Sequence, residues 1–137
     1  MTLVDYEALA TAAQNARNLA YAPYSRFQVG AAVLTASGKI FCGGNIENAA
    51  YPLTMCAERV ALYSAYAAGE REILALAVVT DTDDVASPCG ACRQVMIELA
   101  PRCDVLLLNM QGHQRLTTPH ALLPHSFGPS QLDEANR

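Results

Sequence analysis

Two stretches of this sequence concentrate residues able to do chemistry: Cys56-Ala57-Glu58-Arg59 and Ser87-Pro88-Cys89-Gly90-Ala91-Cys92. One thiol stands two residues before a carboxylate. Two more thiols, one helical turn apart, follow a proline. Three thiolates can hold a zinc ion and leave its fourth position open, as a catalytic site requires. Glu58 is then the natural proton carrier beside a metal-activated water. Three thiolates on Zn²⁺ leave one excess negative charge, which a neighbouring donor must offset. Arg59, one turn after Cys56, is expected to do so by donating to sulfur; Arg93 and Gln94, beside Cys92, are the other candidates.

The same residues allow blander chemistry. A fourth ligand from His113, His120 or His125 would close the site into a structural Cys₃His centre. Cys89-Gly90-Ala91-Cys92 has the spacing of a thioredoxin-like dithiol, although that leaves Cys56 and Glu58 without a purpose. Cys56 and Glu58 could also be an ordinary helix start, where an acid is common. Cys42 and Cys103 lie in no motif and are expected to be filler.

Elements that could bring these residues together are visible in the pattern. Thr2 to Asp5 reads as a capping box opening a helix. Tyr6, Leu9, Ala10, Ala13, Ala16 and Ala20 then recur at helical spacing, and Pro23 marks the stop. Residues 27–34 and 39–43 read as a hairpin around Ser37-Gly38. Residues 45–55, with Pro52, form a loop of polar and aromatic residues. The spacing predicts a helix over 56–68, ended by Gly69. Ile73 to Thr80 is almost wholly apolar, as expected of a central strand buried on both faces. An acidic loop over 81–87 leads to a helix over 89–99, closed by Pro101. A buried strand follows at 105–108, then a turn at Gln111-Gly112 and a short edge strand at 114–117. Thr118-Pro119 should start a brief helix, and Ser130 to Asp133 reads as a second capping box. Strand, helix, strand, helix, strand over 39–108 implies right-handed crossovers over a mixed sheet. Helices that follow neighbouring strands start at one edge of the sheet, where ligands sit in open α/β folds. Cys56 and Cys89 both fall at such starts, so they can converge on one ion.

The 137 residues suit one domain spanning 1–137, and 52% are hydrophobic, enough for a core. The net charge of −4 comes with scattered Arg and Lys. Nucleic-acid binders carry a basic patch, so the balance favours a small neutral substrate. No transmembrane run is present, and Met1 to Leu9 holds Asp5 and Glu7 without the basic flank of a secretory leader. A cytoplasmic location is expected. Five cysteines is an odd count; in a reducing compartment they read as ligands or filler rather than disulfides.

The neighbouring residues narrow the assignment. Cys56-Ala57-Glu58 followed by Pro88-Cys89-x-x-Cys92 resembles the zinc-dependent deaminase signature. Pro23-Tyr24-Ser25-Arg26-Phe27, Asn45-Ile46-Glu47-Asn48-Ala49 and Cys89-Gly90-Ala91-Cys92-Arg93-Gln94 are similar to blocks of the small homotetrameric cytidine deaminases. The resemblance runs from about residue 4 to residue 127. It implies a three-layer α-β-α sandwich with a five-stranded mixed sheet. It implies one zinc per subunit on Cys56, Cys89 and Cys92, and hydrolytic deamination of cytidine, with deoxycytidine, in pyrimidine salvage, Glu58 shuttling the protons. It assigns Asn45 and Glu47 to the ribose hydroxyls, Phe27 to the pyrimidine face, and backbone groups near Ala57 and Ser87 to the base. Phe127 matches an aromatic that in the family reaches a neighbouring subunit's site, and Tyr51 matches a subunit-boundary position. Taken alone, Phe27 reads more readily as strand core, and Asn45 equally as a turn residue. A deaminase of another aminated ring, a non-catalytic zinc module and a polynucleotide editor remain the alternatives.

Overall fold

The computed structural model describes residues 4–135. Helix α1 (Tyr6–Ala16) is capped by Asp5, whose carboxylate accepts from the Ala8 N–H at 3.0 Å. The expected cap Thr2 lies outside the described residues. The helix tightens into a 3₁₀ turn over Arg17–Leu19 instead of continuing to Ala20. Strands β1 (Val29–Thr35) and β2 (Ile40–Gly44) form the hairpin, with Gly38 at φ 89° in its turn. β1 begins two residues later than the apolar pattern predicts. The Asn45 side chain occupies the Phe27 C=O and the Val29 N–H, holding that corner out of the ladder.

Helix α2 (Ala57–Ala67), strand β3 (Ile73–Thr80), helix α3 (Gly90–Leu99), strand β4 (Asp104–Asn109) and strand β5 (Gln114–Thr117) follow as the pattern predicts. Helix α4 (Pro119–Leu122) is capped by the Thr118 hydroxyl, which accepts from the Ala121 N–H at 3.2 Å. Helix α5 spans Pro129–Ala135. Ser130 lies inside it rather than at its cap, because Gln131 Oε1 accepts the Gly128 N–H at 2.7 Å and fixes the start one residue before Pro129.

The five strands form one sheet in the order β2-β1-β3-β4-β5. Only β3 and β4 pair in parallel; the other three pairings are antiparallel. α1 covers one face, burying Leu9 and Ala13 against Ala32, Ala75, Ala77 and Leu106. α2 and α3 cover the other, burying Ala61, Leu62 and Met96 against Val33, Leu76, Val105 and Leu107. This is the expected three-layer sandwich. β3 sends alternate residues into both cores, which is why its sequence is apolar throughout. α2 and α3 share a face, and both crossovers step the same way across the sheet, so they have the same hand.

α2 lies very close to the sheet. A Cβ at Gly43 would stand 2.8 Å from the Ala57 C=O and 2.8 Å from the Ala61 N–H nitrogen. A glycine in β2 therefore sets the height of the helix that Cys56 caps. The parallel step from β3 to β4, with α3 between them, puts the start of α3 at the same sheet edge as the start of α2.

Candidate metal centre and active site

Cys56 and Cys89 are the residues immediately before α2 and α3, each with extended backbone, and Cys92 lies one turn into α3. Free N–H groups in the first turn of a helix favour thiolates at such positions. The three Sγ atoms lie within 4.8 Å of one another, and Cys56 and Cys89 are 3.7 Å apart. Two thiolates on a tetrahedral zinc, each at about 2.3 Å, stand about 3.8 Å apart. The donor set therefore fits zinc. Among the described residues, no histidine or carboxylate joins the cluster. His113 instead lies 3.8 Å from Asp84, so the closed Cys₃His centre does not form through it. The third sulfur beside Cys89 also sets this site apart from an isolated dithiol.

The cluster is electrostatically primed for a cation. Hydrogen bonding from Cys92, and then from Arg59 and Cys89, pulls the Cys56 thiol down to about 5. Its hydrogen bond to Cys56, burial, and the negative charges of Glu58 and Cys56 hold Cys92 protonated. Binding a divalent ion would require Cys92 to give up its proton. Arg59 donates from Nη2 to Cys56 Sγ at 3.4 Å, the contact expected of it, and its Nε is buried without a protein partner. Gln94 turns elsewhere: its amide donates to the Phe127 C=O at 2.9 Å. Arg93 also faces away from the sulfurs, towards the Pro88 and Leu122 carbonyls.

Glu58 is the second residue of α2 and is only 5% exposed. Burial pushes its carboxyl above the ordinary range, with the charge of Cys56 acting in the same direction. A buried carboxyl with raised proton affinity suits a group that must accept and then deliver a proton.

These groups open onto a cavity of about 270 Å³. Phe27, Asn45 and Glu47 line it from the β1–β2 side, Cys56, Ala57 and Glu58 from α2, and Ser87, Pro88 and Cys89 from the loop before α3. No Lys or Arg is among its lining residues. The walls also include Val29, Thr54, Val78, Thr80 and Ala86, which sequence reasoning missed. Val78 and Thr80 sit at the C-terminal end of β3, the one signal that could have pointed to them. Asn45 is buried, and its amide is fixed by Phe27 O at 2.8 Å and Val29 N at 2.9 Å. Those bonds use one donor and one lone pair, leaving one of each for a ligand. The Glu47 carboxylate accepts from the Ser25 hydroxyl and from the Ser25 and Tyr24 N–H groups, which hold it below the usual carboxylate range. Tyr51 is outside this cavity. It lines an adjoining hollow of about 280 Å³ with Tyr24, whose ring centroid is 6.0 Å away, and it is 71% exposed. Phe127 is 57% exposed and lines neither space. An open groove of about 490 Å³ along α1 holds no thiol or histidine.

A three-sulfur centre with a buried carboxylate directs attention to zinc hydrolases, and the whole chain agrees. The family model described as the cytidine and deoxycytidylate deaminase zinc-binding region matches residues 4–107. The chain belongs to this zinc-binding deaminase family. It is 50% identical over 132 residues to a cytidine deaminase of Halalkalibacterium halodurans, covering 96% of this chain and 100% of that one. It is 47% identical over 133 residues to the cytidine deaminase of Sporosarcina psychrophila, covering 96% and 98%. The crystal structure of a cytidine deaminase from Burkholderia pseudomallei superposes with a TM-score of 0.88 at 55% identity, covering 90% of this chain and 100% of that one. One from Mycobacterium tuberculosis gives 0.77 at 39% identity, covering 92% and 99%. For a zinc-dependent deaminase, the Cys56, Cys89 and Cys92 cluster is the metal site that the chemistry demands.

Proposed function

We propose that this deaminase, acting as a single domain, hydrolyses cytidine and deoxycytidine to uridine and deoxyuridine with release of ammonia, in pyrimidine salvage. The observation that carries this reading is a three-sulfur cluster, two of whose cysteines line, with the buried Glu58, a cavity without a cationic wall. Cys56, Cys89 and Cys92 would hold the zinc, one ion per subunit. When bound, zinc supplies Lewis-acid activation of a water as nucleophile. Glu58 takes the proton that water loses and transfers it to ring N3. The C4 carbon accepts the oxygen. Glu58 then carries the second proton to the departing amine, so ammonia leaves and the carbonyl of uridine remains.

The other residues bind and orient. Asn45 has one donor and one acceptor left for a ribose hydroxyl, and Glu47 keeps an unused lone pair on Oε2. Phe27 supplies a flat apolar wall for a flat base. The Ala57 N–H, at the first position of α2, has no intrahelical partner and can donate to the base, with backbone groups of Ser87 completing its edge. The absence of Lys and Arg from the lining favours a nucleoside over a nucleotide, whose phosphate would want a cation.

Exposed Phe27 lines the cavity, exposed Tyr24 and Tyr51 line the adjoining hollow, and Tyr21, Ile46 and Leu53, close to them in sequence, are exposed as well. Such apolar exposure is typical of an interaction surface. It supports a homotetramer in which Tyr51 and Phe127 complete neighbouring sites. No described helix is long and apolar enough to cross a membrane. The five cysteines are all free, which supports a cytoplasmic setting.

The test is the loss of ultraviolet absorbance when purified protein meets cytidine, deoxycytidine, deoxycytidylate and cytosine in turn. Rapid turnover of the two nucleosides is expected. Preference for free cytosine or the nucleotide would overturn the substrate assignment.

A further inference from the structure

Arg93 is not explained by the metal site, although it adjoins Cys92. Its side chain is half-buried, and three of its donors are spent at short range. Nε donates to the Pro88 C=O at 2.8 Å, Nη2 to the Ser87 hydroxyl at 2.8 Å, and Nη1 to the Leu122 C=O at 2.7 Å. The first two acceptors belong to the cavity wall. The third closes α4, on the C-terminal segment. The next residue, Gln94, holds that same segment again at the Phe127 C=O, 2.9 Å away. One turn of α3 therefore grips both the cavity-wall loop and the C-terminal segment.

We infer that Arg93 is a positioning residue for the deamination, a latch that sets Ser87-Pro88 against the substrate and couples that edge to the segment carrying Phe127. This rests on the assignment of the cavity as the nucleoside site. The planar fork of a guanidinium satisfies three acceptors in fixed directions, which no other side chain does. The loop needs such a clamp. The segment from Asp81 to Cys89 lies outside helix and strand, and Ser87 is exposed. A mobile edge at that point would blur the base-binding wall while leaving Cys92 and Glu58, inside α3 and α2, where they are.

The latch therefore acts on binding more than on chemistry. Arg93→Met should keep one zinc per chain and raise KM about tenfold, the effect of losing one well-placed hydrogen bond, with kcat within about threefold of wild type. Arg93→Lys should recover only part of the KM, because an ammonium supplies donors without the fork. Hydrogen exchange gives a reading independent of substrate. In Arg93→Met, segments 84–89 and 119–127 should both exchange about tenfold faster, with α1 and the β1–β2 hairpin unchanged. Should the Met variant fail to fold, the Lys variant carries both measurements, with smaller effects in the same places. A kcat/KM within twofold of wild type, a loss confined to kcat, exchange that rises everywhere alike, or one segment loosening without the other would overturn the latch. If the wild-type protein turns over no cytidine, the substrate assignment fails by itself, and the exchange pattern decides the role of Arg93.

Discussion

Glu58 and Cys56 are two residues apart in sequence, yet they need opposite surroundings. The carboxyl is buried and its proton affinity is raised. The thiol is stabilised as thiolate by Cys92 and Arg59. A buried carboxyl suits proton transfer, whereas a thiolate suits metal binding. Glu58→Gln keeps the shape and loses the proton carrier. It should retain zinc and fold while turnover falls about 10³-fold or more, as measured by single-turnover absorbance. Activity within tenfold of wild type would remove Glu58 from the chemistry. Cys56→Ala removes one of three sulfurs, so metal analysis should find well under one zinc per chain. At this scale the sequence was most legible. Thiol and acid spacing pointed to the three cysteines whose sulfurs lie within 4.8 Å of one another, because metal coordination tolerates few residue types. The orientation of Gln94 and the clamp by Arg93 were not legible, since both depend on where Phe127, Leu122 and Ser87 lie in space.

Elements position these groups through close contact rather than through many polar ties. α2 rests on Gly43 at a distance that leaves no room for a methyl group. Gly43→Ala should destabilise the fold by about 1–3 kcal/mol, read as a lower urea midpoint, because the added carbon meets backbone rather than a flexible side chain. It should also weaken zinc retention, since Cys56 is the residue that leads into the displaced helix. α1 is tied to β4 by the Tyr6 hydroxyl, which donates to Asp104. That bond pushes the phenol up to about 12 from 10.0. The folded state therefore holds the proton more tightly than the unfolded chain. The contribution is complete below pH 10 and fades as the pH rises to about 12. The stability difference between wild type and Tyr6→Phe should be constant from neutral pH to pH 10 and shrink across the alkaline window; a difference that grows there would refute the bond's role. Helix and strand order was readable from period and punctuation. The late start of β1 was not, because a side chain from after β2 decides it. Nor did the sequence mark Gly43, since nothing local distinguishes a glycine under a helix from one in a turn.

At the level of the whole molecule, topology gathers the site. Two same-handed crossovers put the starts of α2 and α3 at one sheet edge, and residues 33 positions apart meet within 4.8 Å. The succession of strands and helices predicted that meeting, and the sulfur geometry agrees with it. The family resemblance put Tyr51 at a subunit boundary and Phe127 in a neighbouring subunit's site; in the chain itself both are exposed and neither lines the cavity beside the sulfurs. If they complete neighbouring sites, light scattering should give four times the mass of the chain, and Phe127→Ala should raise KM without loss of zinc. A fully active monomer would contradict that assembly. The account turns most directly on metal-dependent turnover. Ammonia release from cytidine should stop when a chelator strips the protein of zinc and return on adding one equivalent back. Undiminished release from metal-free protein would contradict it.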